Sequence, residues 1–149
     1  MPLVFSYGSN HPDQLSERLG HLVKTEGAYA EGYERVFCGS SQRWGGGVAS
    51  LRKATKKIVF GLVATVSTAD LSRLDVFEGV GTGNYTRTTI RVHVVGKGES
   101  TAYVYVSLSA GYTPPSRAYL EAVAKTVGTY WHNEDGSKPT WRDITVRKC

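Results

Sequence analysis

Glu78 is the residue whose type and position most call for chemistry. On a helix opening at Thr68 it continues the face set by Leu71 and Leu74, because residues three and four apart share one side of a helix. A carboxylate at the end of an apolar stripe is costly unless it has a partner or a task. Partial desolvation there, beside Tyr85 and ahead of a left-handed stop at Gly79, raises its proton affinity toward neutrality, which suits a group that takes a proton and returns it. The same spacing also fits a glutamate that curls into solvent or pairs with Arg87 or Arg91.

The second stretch with chemical potential is Ser6-Tyr7-Gly8-Ser9-Asn10. It follows the apolar run Leu3-Val4-Phe5, which reads as a strand, and precedes residues 11–19, which read as a helix with Leu15, Leu19 and Leu22 on one face. Asn10 is the expected N-cap, with Pro12 and Asp13 in the first turn, and Gly8 is expected to use backbone angles closed to other residues. Free amides at such a strand-to-helix turn suit a carboxylate or an oxyanion. On these residues alone, a capped helix without a ligand is the commoner account of such a turn. Ser9 has no base near it in the sequence, and Gly-x-Ser-x-Gly, P-loop and dinucleotide glycine patterns are absent. His11, His21, His93 and His132 lack metal-ligand spacing, as do Cys38 and Cys149, which are also too few for a disulfide framework.

The elements that must position these groups follow from pattern. Residues 23–39 read as short strands bent at Gly27 and Gly32, and Ser40 to Ser50, with three successive glycines, as a loop entering a short strand at Val48. Residues 58–66 are apolar on both parities, the mark of a strand buried on two faces or lining a closed barrel. A helix capped by Ser67 or Thr68 follows, then a hairpin of residues 84–95 and 100–108 through Gly96-Lys97-Gly98. Residues 113–116 open a third helix with Leu120, Val123, Val127 and Trp131 as its stripe and Tyr119 and Tyr130 at the margins; the tail alternates enough for one last short strand. Strand parity sets Tyr105 on the face opposite Val104 and Val106, so it need not be core. This order predicts an α+β fold in one domain, residues 1–149, with a mixed, largely antiparallel sheet strongly curved or closed into a small β-barrel and flanked by about three helices.

With 149 residues the chain can bury about two-thirds of its extended surface. The net charge of +5 invites an acidic partner, but the basic residues are scattered. The one tight group, Arg52-Lys53 with Lys56-Lys57, reads as a solvated loop, so no nucleic acid is expected. No long apolar run or leader pattern occurs, so no membrane is expected and the expected location is cytoplasmic.

Taken as an ordered set, Tyr7-Gly8-Ser9-Asn10, the loop Ser41-Gln42-Arg43-Trp44-Gly45-Gly46-Gly47, Leu74-Asp75-Val76-Phe77-Glu78-Gly79 with Tyr85, and Tyr105 ahead of residues 114–119 resemble the gamma-glutamylcyclotransferase (AIG2-like) family. The resemblance implies a compact α+β barrel fold and conversion of a γ-glutamyl amino acid or amine to 5-oxoproline and the free amino acid or amine. It implies Glu78 as general acid/base, Tyr7, Gly8, Ser9 and Asn10 as the substrate loop, and Tyr85, Tyr105 and Tyr119 as pocket lining. It also implies a small-molecule substrate, a monomer or homodimer, and no metal or cofactor. Asn10 departs from the glutathione-specific relatives, and residues beyond Trp131 carry no family motif. The rival expectation is a binding or regulatory module of the same fold without turnover.

Overall fold

The computed structural model describes all 149 residues. Five strands, β1 (Leu3–Ser6), β2 (Lys24–Ser41), β3 (Gly46–Thr65), β4 (Tyr85–Val94) and β5 (Gly98–Ser107), close into a barrel in the order β1-β3-β2-β4-β5. All neighbours are antiparallel except β1 and β5, which close the barrel in parallel at Val4 and Tyr103. Three helices, α1 (Pro12–Leu19), α2 (Thr68–Glu78) and α3 (Arg117–Gly128), flank it.

Strand alternation builds two cores. Phe5, Val59, Val63, Ala102 and Val104 belong to one cluster with Leu120 and Val123 of α3. Their strand neighbours Val4, Leu62 and Ala64 point the other way and pack with Leu15 and Leu19 of α1 and Leu71 and Leu74 of α2. Residues 58–66 therefore supply both cores, as apolarity on both parities requires. Close approach of β1 to β3 depends on Gly61, where a Cβ would stand 2.1 Å from the Ser6 carbonyl oxygen.

Several expectations are corrected. Residues 23–39 are not short strands: β2 is continuous from Lys24 to Ser41, with a register shift between Glu31 and Tyr33 where Gly32 takes φ +82°. Of the Arg52 to Lys57 group, Arg52 and Lys53 lie in the paired part of β3, opposite Glu34 and Tyr33, whereas Lys56 and Lys57 fall among residues 54–57, which have no partner on β2 and bulge out with Lys56 at φ +66°. A two-stranded ribbon satisfies its backbone by pairing alone, so its side chains can all be polar and the pattern mimics a loop. Leu22 lies outside α1, which stops at the left-handed Gly20, and is 90% exposed. The tail forms a 3-10 turn at Trp141–Asp143 and a single parallel bridge from Lys148 to Phe37 rather than a strand.

Candidate active site

Glu78 is the last residue of α2, and the helix is fixed at both ends. Ser67 accepts from the Asp70 amide at 3.0 Å while Asp70 Oδ2 accepts from the Ser67 amide at 3.0 Å, closing a capping box. Gly79 ends the helix at φ +68°, and its amide returns to the carbonyls of Asp75 and Val76. The chain then makes a 3-10 turn at Val80–Thr82 before β4 begins at Tyr85.

The Glu78 side chain, 15% exposed, faces the amino-terminal turn. Asn10 Nδ2 donates to Glu78 Oε1 at 2.8 Å, and Arg18 Nη1 lies 3.6 Å from the same oxygen. Arg18 Nη1 also donates to Asn10 Oδ1 at 2.9 Å, which turns the amide so that its NH2 meets the carboxylate. Oε2 accepts no hydrogen bond from the chain and is not fully buried, and Glu78 is among the residues that line the cavity. Burial raises the Glu78 pKa above the ordinary glutamate value, against the Asn10 hydrogen bond and the charges of Arg18 and Arg43, which lower it.

Asn10 thus does not cap α1. His11 does, with Nδ1 accepting from the Gln14 amide at 3.3 Å, and Asn10 is left to reach across to α2. Gly8 is not in the left-handed region either; its lack of a side chain matters because a Cβ would stand 3.3 Å from the Tyr119 hydroxyl and 3.5 Å from Ala49 Cβ. The amides of Gly8, Ser9 and Asn10 donate to no backbone carbonyl, leaving the turn with donors to offer. Arg35, on β2, holds the turn from behind, with Nε donating to the Tyr7 carbonyl at 2.8 Å.

Tyr7, Gly8, Ser9, Asn10, Glu78, Tyr85, Tyr105 and Tyr119 all line one cavity of about 460 Å³. The four tyrosine hydroxyls are already engaged. Tyr7 donates to the Tyr105 carbonyl at 2.5 Å, Tyr85 to the Ala49 carbonyl at 3.2 Å and Tyr105 to Asp75 Oδ1 at 2.7 Å, while Tyr119 accepts from the Ala49 amide at 2.7 Å. Burial raises all four phenol pKa values, so these groups stay protonated at neutral pH and shape the wall. Tyr119 is not at the margin of its helix: it is buried, edge-on to Phe37 and Trp44. Tyr105 does lie opposite Val104, but that face is the second core, where Tyr105 is 5% exposed.

The cations offered to Glu78 by sequence are engaged elsewhere, Arg87 with Asp75 at 2.7 Å and Arg91 with Glu99 at 3.2 Å. Arg18 escaped sequence reasoning because a basic residue in the last turn of a helix is ordinary dipole chemistry. The available signal was the demand of a half-buried carboxylate for a cation, which spacing along one chain segment does not locate. The histidines are dispersed: His11 caps α1, His21 Nε2 meets Asp70 at 2.8 Å, and His93 lies 3.6 Å from Glu31.

A closed mixed barrel whose helix-end carboxylate faces a glycine turn across a tyrosine-lined cavity is the setting in which the comparisons with known proteins fall. Residues 4–124 match the family described as gamma-glutamyl cyclotransferase, AIG2-like, and the chain belongs to that family. It is 30% identical over 130 residues to the gamma-glutamylcyclotransferase of Homo sapiens, covering 81% of this chain and 67% of the relative, and 29% identical to that of Mus musculus with the same coverage. A solved gamma-glutamyl cyclotransferase superposes with a TM-score of 0.81 at 23% identity, over 99% of this chain and 92% of its own, which establishes the shared fold. The chain is accordingly an enzyme of the gamma-glutamylcyclotransferase type.

Proposed function

We propose that the protein closes the ring of a γ-glutamyl amino acid or γ-glutamyl amine, releasing 5-oxoproline and the free amino acid or amine, with Glu78 as the proton carrier. Nucleophile and electrophile belong to one substrate molecule, so orientation supplies much of the rate and no covalent enzyme intermediate is needed. The α-ammonium gives a proton to Glu78 Oε2 and the freed amine attacks the γ-carbonyl carbon. Amides of the Gly8 to Asn10 turn receive the substrate's polar oxygens, the developing oxyanion among them. The bond from the γ-carbon to the leaving nitrogen then breaks. Two protons leave the attacking nitrogen and two arrive at the departing one, so Glu78 ends in its starting state. The engaged tyrosines Tyr7, Tyr85, Tyr105 and Tyr119 form the wall against which the substrate is oriented.

The observation that carries this reading is the Glu78 carboxylate itself, lining the cavity with Oε1 tied to Asn10 and Oε2 without a hydrogen bond from the chain. A cytoplasmic location fits such a substrate. The test is an assay of purified protein against a panel of γ-glutamyl dipeptides and γ-glutamylamines, beside an active cyclotransferase as control. Release of 5-oxoproline from at least one compound is expected; none from any while the control turns over would contradict the proposal.

A further inference from the structure

The two cysteines, distant in sequence, are neighbours in space. Cys38 lies near the end of β2 and is 4% exposed; Cys149 lies exposed on the tail. The tail meets β2 in parallel where Phe37 bridges Lys148 and the Phe37 amide donates to the Arg147 carbonyl at 2.9 Å, so the next residue on each segment is a cysteine. Paired strands lie about 4.8 Å apart, inside the roughly 4.4 to 6.8 Å between Cα atoms that a disulfide spans. The Cys149 thiol donates to the Gly111 carbonyl at 3.3 Å, the same oxygen that accepts the amide of Gly39 at 2.9 Å. Burial and direct interaction with the Cys149 thiol push the Cys38 thiol up to about 12. Among the other polar ties of the tail, Arg52 Nη1 to the Lys148 carbonyl at 3.2 Å is exposed and holds weakly, and Arg147 Nε lies 3.4 Å from the half-buried Glu34.

We propose that Cys38 and Cys149 form a redox modification site, oxidised by a low-molecular-weight disulfide to an intramolecular disulfide that clamps the tail against the wall of the active-site cavity. The exposed Cys149 thiolate attacks one sulfur of the small disulfide, whose S–S electron pair leaves with the other sulfur as a thiolate. Cys38 then loses its proton and attacks Cys149 Sγ, expelling the second thiolate. Two protein thiols are oxidised and one small disulfide is reduced to two thiols. Cys38 is confined to this second step, because burial keeps it from meeting the reagent, and the held juxtaposition of the two sulfurs has to offset its raised thiol pKa. The wall is at stake because Gly39, Ser40, Ser41 and Ser109 line the cavity, and Gly39 packs so closely on Ser109 that a Cβ there would lie 2.8 Å from its side chain.

The probe is 2-hydroxyethyl disulfide, which contains no γ-glutamyl group, applied to the full chain. The expected result is an intact mass lower by two hydrogens, a cross-linked peptide joining Cys38 to Cys149, and a Tm raised by about 5 °C and restored by dithiothreitol. Cys149→Ser should lose all three changes, and Cys38→Ala should retain only a hydroxyethylthio adduct on Cys149. Wild type that stops at that adduct with Cys38 free, that forms only cross-linked dimers, or that stays unmodified would overturn the site. None of these readouts depends on turnover.

Discussion

At the scale of single residues the site rests on a carboxylate made uncomfortable and then partly relieved. Burial raises the proton affinity of Glu78, while Asn10 and Arg18 hold it from rising further. In the proposed mechanism the deprotonated form of Glu78 takes the first proton, so kcat/KM should climb with pH through a pKa above the ordinary glutamate value. Arg18→Gln removes a charge that lowers that pKa and the donor that orients Asn10. It should shift the acid limb of the profile to higher pH and cost about tenfold in kcat/KM at neutral pH, the scale of one charged hydrogen bond; an unshifted limb would detach Arg18 from the proposed proton carrier. Linkage gives a second, independent check. A glutamate whose folded pKa lies above its unfolded one binds protons more tightly in the native state, so stability falls as pH rises through that window and the full penalty remains above it. Glu78→Gln should therefore raise Tm at pH 7 and leave it nearly unchanged at pH 4, as followed by thermal unfolding at both.

The elements that present these residues were legible wherever local chemistry decides them. The α2 capping box, its stop at Gly79 and the β4–β5 hairpin lie where their residues predict, because each is fixed by contacts a few positions apart. The misplacements share the opposite cause. Asn10 has the right chemistry to cap α1, yet a contact with Glu78, far away in sequence, takes its amide and His11 caps instead. Arg52 and Lys53 of β3 look like loop residues because a partner strand, not a core, holds them. At this scale Gly79 links stability to activity. Gly79→Ala would put a Cβ at φ +68° and 2.7 Å from Asn84 Nδ2, costing about 1 to 2 kcal/mol for the left-handed backbone alone. Chemical denaturation should show that loss, and turnover should fall further than stability accounts for, because Glu78 is the adjacent residue; full activity in the folded variant would show that the carboxylate does not depend on this stop.

Across the whole molecule, barrel closure is what brings residues near position 10 to a residue near position 80. β1 lies on β3 at one side and β5 at the other, and the Tyr7 turn leaves β1 directly into the cavity. Apolarity on both parities announced that residues 58–66 face two cores, but the parallel contact closing the barrel, Val4 with Tyr103, is one bridge long and leaves no pattern in the sequence. Gly61→Ala, whose Cβ would strike the Ser6 carbonyl at 2.1 Å, should lift β1 from β3 and cost about 3 kcal/mol in urea unfolding, with loss of activity to match; an unchanged unfolding midpoint would mean that the closure tolerates what its spacing forbids. The central claim is that the carboxylate at the end of α2 carries protons between two nitrogens of a substrate seated against the Tyr7 to Asn10 turn. It is tested most directly by 5-oxoproline release from the preferred γ-glutamyl compound by wild type and Glu78→Gln side by side. The variant should remain folded and lose at least about a hundredfold in kcat, the usual contribution of a positioned acid and base; turnover equal to wild type would contradict the account.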